Sequence, residues 1–135
     1  SVQLNDDVIV QGYPARYSGL PKIVRATTTL VSHDNPPIEP TKISASDVTT
    51  GGPKSQEYVN MLIEIDAAEV QTHDYQATYG MYPIKDASNG TIYLDDFIWR
   101  IEPIPNEGIK FPSVRGILVY DFDNYKIAPR NTGDL

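Results

Sequence analysis

Hydrophobic and polar positions are ordered most plainly in the last third of the chain. Val114 to Tyr120 is apolar, β-branched or aromatic around one glycine, and Asp121 to Asn124 supplies turn formers. Tyr125-Lys126-Ile127-Ala128 then resumes the run until Pro129 ends it. This pattern predicts a hairpin, and a lone hairpin needs a sheet or barrel to lie against. Further upstream, Met61 to Val70 alternates with period two. Met61, Ile63, Ile65 and Ala67 are expected on the core face, with Glu64, Asp66 and Ala68 on the wet face and Leu62 off pattern. Tyr79–Ile84 and Thr91–Trp99 flank Lys85 to Gly90, and Asn89-Gly90 is the strongest turn signal in the chain.

The N-terminal part is more irregular. Asn5-Asp6-Asp7 reads as a turn before a short strand, Val8 to Tyr13. Pro14 marks an edge position or bulge, and Ser18-Gly19 with Leu20-Pro21 marks a turn. Lys22 to Ser32 has the valine, isoleucine and threonine content of a second strand, bent in its threonine run. Asp34 to Pro40 is expected to be a polyproline-type connector. Ser44 to Gly52 has room for one helical turn around Ser46-Asp47, and Glu102 to Pro112 reads as a long loop with three prolines. No longer stretch shows capped helical periodicity, and no repeat is visible.

The expectation is therefore an all-β fold, a small Greek-key barrel or a β-sandwich. A length of 135 residues fits one domain. Residues 1–56 are expected to give the N-terminal strands and Pro-rich connector, and residues 57–135 the main barrel. No stretch has the roughly 18–20 apolar residues of a membrane helix. Absent cysteines exclude disulfides, thiol nucleophiles and thiolate metal sites. The chain starts at Ser1 without a signal-like apolar run, as expected of a processed protein or an excised domain.

Charge narrows the partners. The net charge is −7, which argues against duplex DNA as a direct ligand. Residues 1–56 balance five acids with five bases, whereas residues 57–135 hold thirteen acids and six bases. An anion-binding surface would therefore draw on Arg16, Lys22 and Arg25. These interleave with Tyr13 and Tyr17 in the nearest approach to the aromatic–basic pattern of a nucleic-acid surface. Tyr93, Phe97 and Trp99 also offer stacking rings, but as one alternating strand face they read first as core.

Other constellations are thin. His33 and His73 are the only imidazoles and both look like loop residues; HExxH is absent. Gly51-Gly52-Pro53-Lys54 lacks the strand–loop–helix context of a phosphate loop. Asp95-Asp96 on a strand would point to opposite faces. Asp121 and Asp123, one residue apart across a turn, could converge on Ca²⁺ as a weak site, without EF-hand spacing. No other cofactor is expected. Asn89-Gly90-Thr91 fits the glycosylation sequon but reads as a plain turn.

The order and wording of the segments resemble a known region. The carriers are Asp7 to Gly12 with Tyr17-Ser18-Gly19, then Asn35 to Pro40 before Ile43 to Val48, then Glu57 to Ile65. Arg115 to Tyr120, Tyr125 to Arg130 and Asp134-Leu135 complete the set. Together they resemble the OB-fold-like accessory region of bacterial extracellular nucleases and related secreted multidomain proteins. The resemblance implies an OB-like barrel with extra N-terminal strands, an extracellular, periplasmic or cell-surface location, and a non-catalytic accessory role. It carries over no active site. Neighbouring domains or proteins are the expected partners; the alternative is weak binding of single-stranded nucleic acid or another substrate beside a nuclease domain.

Overall fold

The β-branched N-terminal runs pair with each other in a two-stranded antiparallel ribbon, β1 (Asp7–Tyr17) with β2 (Leu20–Ser32). Ser18 and Gly19 join them in a two-residue turn with φ of 48° and 87°, the positive pair whose twist matches that of a hairpin. Both strands run longer than the alternation indicates. Pro14 is accommodated because each strand of a two-stranded ribbon keeps one unpaired edge. The register shifts between Gln11 and Tyr13, where Arg25 takes φ 50° opposite Gly12. A Cβ at Gly12 would collide with Ile23 and with the Val24 carbonyl 2.8 Å away, so the bulge requires glycine there. At the ribbon's base, the Asn35 side chain donates to the Asn5 and Ser32 carbonyls at 3.0 and 3.3 Å.

The computed structural model describes residues 1–72 and 78–135, and divides them into two compact units, Ser1–Glu39 and Pro40–Leu135. The division at Glu39/Pro40 differs from the sequence boundary at 56/57. Residues 40–56 belong to the second unit because Thr41–Lys42 (β3) pairs in parallel with β4 (Leu62–Val70). A one-turn helix, α1 (Ala45–Val48), lies where one helical turn was expected, and a second, α2 (Ser55–Tyr58), follows it.

The remaining strands are β5 (Tyr82–Lys85), β6 (Thr91–Leu94), β7 (Lys110–Asp121) and β8 (Asn124–Ala128). They follow β4 in the order β4-β5-β6-β8-β7, and β7 pairs back to β4. The sheet thus closes on itself as a five-stranded Greek-key barrel with β6 and β8 parallel, an OB-like arrangement. One coiled, closed sheet replaces the two facing sheets of the sandwich alternative.

The core is aliphatic. Ile63, Ile65, Ile84, Ile92, Leu94, Val114, Leu118 and Ile127 are buried with Tyr82, and Ala45 and Val48 of α1 join them. The β5–β6 turn holds α1 in place: Asp86 accepts from the Ala45 amide at 2.9 Å, and Ser88 Oγ from the Ser46 amide at 3.1 Å. Gly90 belongs to the same contact, because a Cβ there would enter the backbone of Ala45 and Ser46.

Two sequence expectations change inside the barrel. In β4, Ile63 and Ile65 are buried as expected, but Glu64, Ala68 and Val70 are buried as well, while Ala67, and Met61 just before the strand, are exposed. Ala67 adopts φ 50°, which slips the alternation by one residue. β6 ends at Leu94, so Tyr93, Phe97 and Trp99 do not share a strand face. The Asp95 amide makes a last bond to the Ile127 carbonyl at 2.9 Å, and the chain then leaves the sheet.

Candidate functional site

Tyr13, Arg16, Tyr17, Lys22 and Arg25 all lie in the turn-proximal half of the ribbon. The pairs Tyr13↔Val24, Ala15↔Lys22 and Tyr17↔Leu20 put Tyr13, Tyr17 and Lys22 on one face. Lys22 Nζ sits 4.6 Å from the centroid of the Tyr17 ring, in cation–π range. Arg16 pairs with Pro21, placing it on the opposite face, and its Nη1 donates to the Gly19 carbonyl at 3.3 Å. Arg25 occupies the bulge. The five residues are neighbours on one hairpin but do not converge on one face.

Their surroundings are distinctive in two ways. Residues 12–26 contain three cations and no acid. Among the described residues, none of these cations forms an ion pair. In the barrel unit, by contrast, Lys42, Lys54, Arg100, Lys110, Arg115, Lys126 and Arg130 each meet a carboxylate. The pairing raises the Lys42 and Lys54 pKa values, chiefly through hydrogen bonds to Asp66 and Asp47. The ribbon also exposes much apolar surface. Tyr13 and Tyr17 are both 66 % exposed, Ile23 and Val31 both 54 %, and no residue of Ser1–Glu39 is buried.

Asp121 and Asp123 flank the β7–β8 turn as the sequence indicated, but each carboxylate serves its own turn. Asp121 Oδ1 accepts from the Phe122 amide at 3.0 Å, and Asp123 Oδ1 from the Tyr120 hydroxyl at 3.3 Å. Among the described residues no three His, Asp or Glu side chains gather as a metal site. His33 Nδ1 meets Asp6 at 2.7 Å; His73 lies outside the described residues. Asp95 and Asp96 separate in function, because Asp95 pairs with the buried Lys126 at 3.0 Å and Asp96 is exposed.

The second unit also holds an apolar cleft that was not expected from the sequence. It measures about 350 Å³ and is walled by Trp99, Ile101, Pro103, Ile104, Ile109 and Phe111. The volume lies at the low end of small-ligand pockets. Its rim carboxylate, Glu102, is already paired with Arg100 at 2.9 Å. The prolines of 102–112 were its only signal, and they indicated a loop without showing which rings it would bring together.

Comparison with known protein families, curated proteins and solved structures finds no match to this chain. Among the described residues no helix is long and apolar enough to cross a membrane.

Proposed function

We propose that the chain is a non-catalytic protein-interaction module of a secreted bacterial multidomain protein, and that the β1–β2 ribbon is its docking element. The observation that carries this reading is the ribbon's exposure: strands of 11 and 13 residues in which no side chain is buried. A two-stranded ribbon gains little stability by itself in water, and exposed apolar surface of this extent is characteristic of a contact made with another protein. The secreted, multidomain setting rests on the resemblance of the strand segments described above.

A second reading is favoured by one observation, the three unpaired cations beside Tyr13 and Tyr17. It makes the same ribbon a weak binder of single-stranded nucleic acid. The two readings separate in a titration of the whole chain with a labelled oligonucleotide at two salt concentrations. A protein-interaction module is expected to bind no tighter than about 10⁻⁵ M at physiological salt, within the non-specific range. Submicromolar affinity that falls steeply with salt, and again in Arg16→Ala/Arg25→Ala, would overturn the protein-interaction reading in favour of the second.

A further inference from the structure

The ribbon's cations have a counterpart in the barrel unit. After β6 the chain exposes Asp96 and Phe97, the latter by 69 %. The β7–β8 turn holds Phe122 at φ 45° and Asp123 at φ 60°, with the Phe122 ring 80 % exposed. A bulky residue in this backbone region is unusual, and here it holds an aromatic ring in water between two aspartates. The loops are neighbours: Lys126 Nζ lies 3.0 Å from Asp95 and 5.8 Å from the centroid of the Phe122 ring. Asp96, Asp121 and Asp123 form no ion pair among the described residues. These neighbouring loops thus carry exposed Asp96, Phe97 and Phe122, with Asp121 and Asp123 on either side of Phe122 in the chain.

We propose that the turn-proximal half of the ribbon docks onto this acidic, phenylalanine-bearing patch of a second copy of the chain. The inference rests on the protein-interaction reading and names the partner. The two surfaces are complementary in sign, three cations that form no ion pair against three aspartates that form none, Lys126 between the loops being paired with Asp95. They are also complementary in kind, because Lys22 suits an exposed aromatic face while Tyr13 and Tyr17, on the same face of the ribbon, add apolar contact. Electrostatics favours this partner over a phosphate polymer: the barrel unit carries fourteen acids against eight bases and repels a continuous polyanion. The contact joins different surfaces of two copies, so it is heterologous and gives rings or open chains.

Sedimentation velocity of the whole chain tests the proposal, from about 10 μM to about 1 mM protein and at about 0.05 and about 0.5 M salt, where screening differs severalfold. At low salt the weight-average mass is expected to rise with concentration by at least about twofold, and at high salt to return toward the monomer. Arg16→Glu/Lys22→Glu/Arg25→Glu should stay monomeric, as should Asp96→Lys/Asp121→Lys, each with the parent's circular dichroism. An equimolar mixture of the two variants should associate again, because reversed ribbon then faces reversed patch.

A parent that remains monomeric throughout would overturn the proposal. So would association untouched by either variant, or a mixture of folded variants that stays monomeric. A monomer that also ignores the oligonucleotide overturns only the second-copy inference. A monomer that binds the oligonucleotide tightly through the ribbon overturns the protein-interaction reading as well.

Discussion

Leu118 and Ile23 are both strand aliphatics, yet Leu118 is fully buried in the barrel core and Ile23 is 54 % exposed on the ribbon. The stability of the chain therefore depends on them unequally. Leu118→Ala removes packed atoms and leaves a cavity, with an expected cost of about 2–5 kcal/mol. Ile23→Ser removes surface that touches little, and is expected to change stability by no more than about 0.5 kcal/mol. Denaturant unfolding of both variants checks the contrast; a core-sized loss at Ile23 would contradict the ribbon's assignment. Asp134 is one of the buried residues whose charge matters to the fold. Arg130 binds it through Nε at 2.9 Å and Nη2 at 2.8 Å, and the Arg130 amide adds a third bond at 2.9 Å. These bonds, the guanidinium's first, hold the Asp134 pKa below its ordinary value. A depressed folded-state pKa contributes stability that is present above the unfolded value and lost as pH falls through the folded one. Asp134→Asn is thus expected to cost about 1–3 kcal/mol at neutral pH. The gap to the parent should shrink below about pH 4. An unchanged gap down to about pH 2 would sink this account.

At the scale of elements, what the sequence made legible was whatever depends on local chemistry. The closing hairpin, the Ser18-Gly19 turn, the Asn89-Gly90 turn and the start of β4 were readable because turn formers and alternation specify them within a few residues. What escaped depends on distant partners. Ala67 has no local reason to take φ 50°; β4 bonds β7 throughout, but β3 only around Ile63–Glu64 and β5 only around Glu69–Val70. β6 stops at Leu94 although the apolar run continues, and Trp99 packs against the core from the loop that follows. The single helical turn expected around Ser46-Asp47 is present as α1, but what holds it, Asp86 and Ser88 more than forty residues away, was not legible. The candidate site was legible in its residue types and in its position on one hairpin. The bulge at Arg25 and the register that sends Arg16 to the other face were not, because each is set by pairing.

At the scale of the whole molecule, buried core and exposed apolar surface fall to different parts of the chain. The buried residues lie in the barrel unit, along with the ion pairs of seven of its Lys and Arg side chains. The ribbon unit holds unpaired cations and exposed apolar side chains. On the proposed protein-interaction reading, this long hairpin is kept for contact with a partner. The most direct test is amide hydrogen exchange on the whole chain in dilute solution, read separately for β1–β2 and for β4–β8. The barrel strands are expected to exchange only near the global unfolding limit, and the ribbon amides by local opening at least about a hundredfold faster. Ribbon amides as slow as those of the barrel in dilute solution would show that the hairpin belongs to the folding core, and would contradict the docking role proposed for it.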